Sequence, residues 1–200
     1  MSAGDKAALR AQMKEAREEL SARDPDAGET VADKFPLKLL ERYGPVVAAY
    51  LPIGSELDTA PLIAKLVKAD AQIALPRVED DGRMTYRQWS DGDALEDRRF
   101  GLKEPFTSAP ILTPTLVLTP LLAYDRNGNR LGYGKGHYDR ALSDLRKNGR
   151  VFVCGLAFHG QEVDEVPNEP HDIPLDWVVT ERGSIPIFMM RTFAKNREDT

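Results

Sequence analysis

The sequence predicts a single α/β domain over residues 1–200, with a mostly parallel sheet flanked by helices on both faces in a Rossmann-like, three-layer arrangement. Continuous apolar runs alternate with amphipathic stretches along the chain, which is the pattern of strand–helix–strand units. A length of 200 residues suits one such domain. The content of 42% apolar and 30% charged residues is that of an ordinary globular chain.

The first half of the chain carries the predicted strand–helix–strand unit. The first helix follows from apolar residues that recur every three or four positions, while Val46–Leu51 is continuously apolar, as in a strand buried on both faces. Thr59 and Pro61 mark a helix start, and Asp80-Asp81-Gly82 marks a hairpin turn. The predicted elements are helices over 5–22, 27–42 and 59–69 and strands over 46–51, 72–76 and 84–89.

The second half continues the alternation after a segment without regular structure. The charges, glycines and prolines of residues 90–114 predict a loop. Further elements follow from apolar runs and helical spacing: strands over 116–119, 151–158 and 177–180, and a helix over 137–147. In an open α/β sheet ligands bind at the carboxyl ends of the strands, so the site is expected there.

Charge and cysteine content exclude several classes of protein. The 27 basic and 32 acidic residues give a net charge of −5, so no nucleic-acid partner is expected. No apolar run approaches the roughly 18 residues of a membrane helix, and the start of the sequence lacks the apolar core of a signal peptide. Cys154 is the single cysteine, so it cannot form an internal disulfide. A cytoplasmic protein without a membrane partner is therefore expected.

The most informative segment is Asn129–Asp139, which reads Asn-Arg-Leu-Gly-Tyr-Gly-Lys-Gly-His-Tyr-Asp between a strand and a helix. Its alternating glycines let backbone N–H groups approach an anion, and the helix N-terminus adds its dipole. Lys135 and Arg130 add positive charge. The segment is not a Walker loop, because its glycine spacing differs and Gly136 rather than Ser or Thr follows Lys135, and it is not the dinucleotide fingerprint, which lacks the embedded lysine. The segment therefore predicts a phosphate-binding loop, with a plain turn whose lysine faces solvent as the alternative.

Two aspartates and one helix are further candidates. Asp139 falls in the first turn of the following helix, where it either complements the helix dipole or binds Mg²⁺ together with phosphate oxygens. Asp172, in a polar loop bounded by prolines, is a second candidate ligand. Lys6, Arg10, Lys14 and Arg17 recur at helical spacing along the first helix. Read alone, this basic stripe is a solvated face.

The segment Asn129–Asp139 closely resembles the signature of the 5-formyltetrahydrofolate cyclo-ligase family, also called 5,10-methenyltetrahydrofolate synthetase, which usually reads Arg-Leu-Gly-x-Gly-Lys-Gly-Tyr-Tyr-Asp. The chain departs from that signature at His137, where the family commonly has tyrosine. Weaker similarities occur in the family's order along nearly the whole chain, at Lys6–Arg10, Leu51–Thr59, Pro76-Arg77, Gly101–Pro105 and the Asp172 loop.

The resemblance implies an enzyme that converts 5-formyltetrahydrofolate to 5,10-methenyltetrahydrofolate with ATP and Mg²⁺ and releases ADP and phosphate. The formyl oxygen is phosphorylated, N10 attacks the activated carbon, and phosphate leaves. ATP and the folate are the implied ligands, and a monomer is expected. The alternative from another class is a non-catalytic folate- or nucleotide-binding protein on the same scaffold.

The resemblance also implies roles for individual residues. Lys135, Arg130 and Tyr138 are implied as catalytic residues, and Asp139 and Asp172 as metal ligands. The implied ATP-binding residues are Lys6, Arg10, Arg130, Leu131, Gly132, Tyr133, Gly134, Lys135, Gly136, His137 and Tyr138. The implied folate-binding residues are Leu51, Glu56, Met84, Tyr86, Tyr133, Gly134, Lys135, Gly136 and His137. For Met84 and Tyr86 core packing is the alternative, and Lys14 and Arg17 are expected to be solvated.

Overall fold

The structure is a computed structural model of the chain, and it describes residues 3–98 and 101–189. The helices are α1 (Ala3–Arg23), α2 (Ala27–Lys34), α3 (Lys38–Tyr43), α4 (Ala60–Lys68) and α5 (His137–Asn148). The strands are β1 (Val46–Ala48), β2 (Gln72–Val78), β3 (Met84–Gln88), β4 (Leu95–Asp97), β5 (Lys103–Pro105), β6 (Leu116–Thr119), β7 (Ala123–Tyr124), β8 (Arg130–Leu131), β9 (Phe152–Leu156), β10 (Trp177–Thr180) and β11 (Gly183–Ile185).

A seven-stranded sheet in the order β11-β10-β9-β6-β1-β2-β3 organises these elements. The neighbouring strands from β10 to β2 pair in parallel, and β3 and β11 pair antiparallel at the two edges. Two-stranded ribbons β4-β5 and β7-β8 lie outside this sheet. The predicted class, a mostly parallel α/β sheet flanked by helices, is confirmed.

Residues of the central strands alternate between two apolar clusters on opposite faces of the sheet. Leu116 and Leu118 of β6 pack in the cluster that holds Leu66 of α4, whereas Val117 between them packs in the cluster that holds Leu142 of α5. Both faces of these strands are therefore covered, which explains why their sequences are continuously apolar. A third, smaller cluster joins Met13 of α1 to β7 and β8.

The structure corrects several boundaries. The helix predicted over 27–42 is two helices, because Phe35 before Pro36 takes an extended backbone with φ −65° and ψ 121°. β1 is shorter than predicted. The predicted loop 90–114 contains β4 and β5, and β7, β8 and β11 were not predicted. No described helix is both long and apolar enough to cross a membrane.

Candidate active site

A cleft of about 1370 Å³ opens beside the segments that follow β1 and β6, at the carboxyl ends of these strands. Several stretches distant in sequence line it: the start of α1, the segment after β1, the β4-β5 ribbon, the glycine-rich loop of residues 130–139, and the loop of residues 169–172. Each site residue expected from the sequence lines this cleft, with the exception of Tyr86. The fold thus brings the two aspartates, Lys6 and Arg10 of α1, and Glu56 to one cavity.

The glycine-rich loop takes a backbone that requires glycine. Gly134 and Gly136 have φ values of +88° and +65°, in the left-handed region that side chains disfavour. The guanidinium of Arg10 lies where a side chain on Gly134 would begin, with Cζ 3.2 Å from an added Cβ, and its Nε donates to the Gly132 carbonyl at 3.0 Å. Arg10 of α1 is therefore seated directly on the loop.

Arg130 is held beside Asp139 at the start of α5. Its guanidinium NH2 lies 2.6 Å from Asp139 Oδ1, and its NH1 donates to the carbonyl of Ile173. Asp139 Oδ1 also accepts from the Ile173 backbone N–H at 3.1 Å. The loop that carries Asp172 therefore reaches the glycine-rich loop, a contact that the sequence alone could not supply.

Asp172 is held by the first helix. Lys6 Nζ donates to Asp172 Oδ2 at 3.2 Å and lies 3.5 Å from Glu169 Oε1. Ligand atoms of Glu169, His171 and Asp172 lie within 4.8 Å of one another. Asp139 accepts its described bonds through Oδ1, and Asp172 accepts its bonds through Oδ2. Each carboxylate has a second oxygen, so these hard donors fit Mg²⁺, which takes one or two carboxylates together with phosphate oxygens and water.

Arg17 is buried, so the expectation that it is solvated is wrong. Its residue exposure is 2%, whereas Lys14 is exposed as expected. At about 100° per residue, Arg10 and Arg17 lie within about 40° of Lys6 around the helix axis, while Lys14 lies about 80° away. The helical angle was the available signal, because Lys6, Arg10 and Arg17 share the face that points inward.

Glu56 lies at the buried end of the cleft. Its Oε2 accepts the Ile53 backbone N–H at 2.9 Å, and its Oε1 lies 3.7 Å from Arg17 NH1. The Tyr133 hydroxyl also faces this carboxylate. Burial raises the pKa of Glu56, and the hydrogen bond from Ile53 and the charge of Arg17 oppose that rise.

Two further residues of the glycine-rich loop, His137 and Tyr138, have pKa values shifted from their ordinary range. Burial lowers the pKa of His137, and the positive charges of Arg140 and Lys135 lower it further, so the ring is neutral at pH 7. Arg140 NH2 lies 3.1 Å from His137 Nδ1, and a guanidinium can only donate, which makes Nδ1 the acceptor. Burial raises the pKa of Tyr138 well above its ordinary value, so its hydroxyl keeps its proton.

The apolar residues expected beside the folate divide into two groups. Leu51 and Met84 line the cleft. Tyr86 is 3% exposed and packs in the core cluster with Leu142, so the structure supports the core alternative for it. Tyr50 and the ribbon residues Glu96, Lys103 and Glu104 also line the cleft, and none of them was expected to. For the ribbon, the similarity at Gly101–Pro105 was the available signal.

Fold and cleft together define an α/β protein with a glycine-rich loop in a cleft at the carboxyl ends of its parallel strands, where open α/β sheets bind their ligands. Within that class, the model of the 5-formyltetrahydrofolate cyclo-ligase family matches residues 2–181. The chain belongs to this family. The resemblance drawn from the Asn129–Asp139 signature is therefore confirmed.

Individual relatives agree with this membership. A 5-formyltetrahydrofolate cyclo-ligase of Mycolicibacterium smegmatis is 34% identical over 166 residues, which cover 79% of this chain and 84% of that protein. The protein of the same name from Escherichia coli K12 is 34% identical over 140 residues, covering 67% and 76%. The NMR structure of Aquifex aeolicus 5,10-methenyltetrahydrofolate synthetase superposes with a TM-score of 0.74 at 28% identity, covering 91% and 92% of the two chains.

Proposed function

We propose that this chain catalyses the ATP-dependent conversion of 5-formyltetrahydrofolate to 5,10-methenyltetrahydrofolate, with release of ADP and phosphate. The observation that carries the proposal is a single cleft in which a glycine-rich loop with Lys135 and Arg130 faces a buried carboxylate, Glu56. Such a cleft suits two ligands of different chemistry, a polyphosphate at the loop and a ring with N–H donors at the carboxylate.

The nucleotide side of the cleft is the glycine-rich loop with Lys6 and Arg10 of α1. Phosphoryl transfer depends on positioning and on neutralising charge rather than on a covalent nucleophile of the protein. Lys135 supplies a cation beside the loop amides, and Arg130, fixed by Asp139, supplies a second. The attacking atom is the formyl oxygen of the substrate, which takes the γ-phosphoryl group as ADP leaves.

The folate side is Glu56 with Leu51 and Met84. A carboxylate accepts hydrogen bonds from the amino group and ring N–H of a pterin, while apolar side chains contact its faces. Once the formyl oxygen is phosphorylated, N10 attacks the formyl carbon, phosphate leaves with the former formyl oxygen, and the N10 proton is lost. Tyr138, which stays protonated, is a neutral donor at this end of the cleft.

Mg²⁺ is the metal ion that we propose for this cleft, with Asp139 and Asp172 as its protein ligands. When bound, it would neutralise charge on the phosphates of ATP. Lys6 and Arg130 hold the two carboxylates in place, and Glu169 beside Asp172 is a further oxygen donor. Folding of the free protein pairs each carboxylate with a cation, so metal binding has to compete with these ion pairs.

We further propose that the enzyme acts as a monomer in the cytoplasm, without nucleic acid or membrane partners. The net charge of −5 disfavours binding to phosphodiester backbones.

The test uses purified protein with 5-formyltetrahydrofolate, ATP and Mg²⁺. We expect methenyl absorbance to appear together with one equivalent of ADP, and both to vanish when either ATP or Mg²⁺ is left out. Ring closure that proceeds without nucleotide would contradict the phosphorylation step. Binding of both ligands without turnover would instead favour a non-catalytic folate- or nucleotide-binding protein.

A further inference from the structure

Arg17 makes a set of contacts that the proposed reaction does not use. From the buried face of α1 its Nε donates to Ser55 Oγ at 3.2 Å, and NH2 donates to the Tyr133 hydroxyl at 2.5 Å. NH1 donates to the Leu121 carbonyl at 3.4 Å and lies 3.7 Å from Glu56 Oε1. The guanidinium also lies 5.5 Å from the centre of the Tyr133 ring. One side chain therefore joins α1, the segment after β1 and the glycine-rich loop.

The charge of Arg17 bears directly on Glu56. The titratable groups that face Glu56 are Arg17 of α1, Tyr133 of the glycine-rich loop, Tyr138 of α5 and Tyr50 after β1. Burial raises the pKa of all three tyrosines, so they are neutral at the pH at which a carboxyl group titrates. Among the described residues that face Glu56, the positive charge therefore comes from Arg17.

Burial alone would leave Glu56 a poor ligand for a pterin. A buried carboxyl group tends to hold its proton, and a protonated group presents a hydroxyl to N–H donors that need an acceptor. An opposite charge within reach favours the ionised form. A guanidinium suits this task because it stays charged at any working pH and its planar fork fixes several partners at once.

We propose that Arg17 is a positioning residue for folate recognition, which keeps the Glu56 carboxylate ionised and fixes it relative to Tyr133. This inference rests on the proposed function, in which Glu56 accepts hydrogen bonds from the pterin. Arg17 is not among the described residues that line the cleft, and it acts through Glu56 and Tyr133. Its loss is therefore expected to change the folate KM and the pH dependence of folate use more than the ATP KM.

The test is the pH profile of kcat/KM for 5-formyltetrahydrofolate in Arg17→Gln, which keeps hydrogen-bonding atoms and removes the charge. We expect the acidic limb of the profile to move to higher pH by about one unit or more, the scale of one opposite charge within about 4–6 Å. At a pH below both limbs, kcat/KM for the folate is expected to fall about tenfold, because there a limb displaced by one pH unit lowers the ionised fraction of Glu56 tenfold. Arg17→Lys, which restores a charge, is expected to return the limb toward that of the wild type.

Two controls separate this role from simple anchoring of α1. Lys14→Gln removes an exposed cation from the same helix and is expected to leave the profile unchanged. Melting temperatures are measured for all variants, because an arginine that only anchors the helix would lower the melting temperature without moving the acidic limb. An unmoved limb in Arg17→Gln overturns the proposal.

A second variant decides the matter if Arg17→Gln does not fold. Glu56→Gln removes the group that titrates, so its acidic limb should disappear while the ATP KM is retained. An acidic limb that persists in Glu56→Gln shows that another group titrates and overturns the proposal. Failure of the proposed function looks different, because wild-type protein would then give no methenyl product from the folate at any pH.

Discussion

At the scale of single residues, Lys135 is the side chain on which the proposed phosphoryl transfer depends most. It lies between Gly134 and Gly136, whose left-handed backbone turns the loop along the cleft. An exposed lysine in a loop contributes little to the folded core, so its removal separates catalysis from stability.

Lys135→Ala is expected to lower kcat by about 10²–10³, the scale seen when one preorganised charge-stabilising group is lost. The ammonium stabilises charge that develops as the phosphoryl group moves. An interaction made mainly in the transition state raises kcat, whereas one that binds substrate and transition state equally only lowers KM. The measurement is kcat at saturating ATP, with the melting temperature as a check on folding. Lys14→Ala is the control and should change neither. A wild-type kcat in Lys135→Ala would mean that the loop is structural.

A matched pair of glycines tests the contact between the loop and α1. Gly134 and Gly92 have φ values of +88° and +87°, so alanine strains both by a similar amount, of about 1 kcal/mol. A Cβ on Gly134 meets the Arg10 guanidinium at 3.2 Å, whereas a Cβ on Gly92 meets open space. Gly134→Ala is therefore expected to raise the ATP KM, and Gly92→Ala to leave it unchanged. Equal ATP KM values for the two variants would contradict the role of this contact.

Sequence located the cleft most directly through one contiguous motif, whereas Leu51 and Glu56 were expected there through the family resemblance. Asn129–Asp139 carries its chemistry in consecutive positions, and the structure brings this segment to the cleft. Arg17 was expected to be solvated and is buried, and for Tyr86 the sequence left open the core position that the structure supports, because the direction of an isolated side chain depends on which neighbours cover it. For a buried polar side chain on a helix, such as Arg17, the only local sign of burial is its angular position around the helix axis.

At the scale of elements, the turn between β7 and β8 depends on one fully buried carboxylate. Asp125 accepts hydrogen bonds from the backbone N–H groups of Asn127, Asn129 and Val166 and from the Asn129 side chain. This turn leads directly into Arg130. The position of Arg130 in the cleft therefore depends on a residue that lies outside it.

Asp125→Ala is expected to lower the free energy of unfolding by about 3 kcal/mol or more, because it leaves several buried donors without an acceptor. Chemical denaturation measures the loss, and an increased ATP KM should accompany it as Arg130 loses its fixed backbone. The exposed Asp164 provides the control, with an expected change within about 0.5 kcal/mol for Asp164→Ala. Equal stability of the two variants would contradict this role of Asp125.

Element boundaries were predictable where the pattern is long. The apolar stripe of α1 is long enough for its helical period to be read from the sequence. β6 and β9 were recognisable because each lies in a continuously apolar run. The unpredicted strands β4, β5, β7, β8 and β11 have two or three residues each, which is too short to display an alternation. Their pairing comes from neighbours that the tertiary fold supplies, as in the pairing of Leu95 with Pro105.

At the scale of the whole molecule, α1 closes one side of a cleft whose floor belongs to the sheet. Lys6 contacts Asp172, and Arg10 contacts Gly132. A nucleotide bound on the glycine-rich loop would therefore contact both α1 and the loops that follow the strands of the sheet. Ligand binding of this kind stabilises the folded state by mass action.

Saturating ADP with Mg²⁺ is therefore expected to raise the melting temperature, by an amount equivalent to about 2.7 kcal/mol at a concentration of about a hundred times the Kd. The double variant Lys6→Met/Arg10→Met should lose most of this shift, because it removes both cations that α1 offers to the phosphates. Lys14→Met is the matched control and should keep it. An undiminished shift in the double variant would contradict nucleotide binding by α1.

The contacts of α1 also set the order in which the cleft is completed during protein synthesis. Arg10 meets its partner Gly132 across 122 positions of the chain, and Lys6 meets Asp172 across 166. A ribosome has to translate through residue 132 before the first pair can form and through residue 172 before the second, and contacts of such long range are among the slowest to form. Met13 of α1 packs with Leu122, Leu131 and Val166, so the nascent chain is expected to expose the apolar stripe of α1 until those residues have been made. If the proposed nucleotide site is correct, affinity for nucleotide is expected to appear only as β9 and β10 are being made.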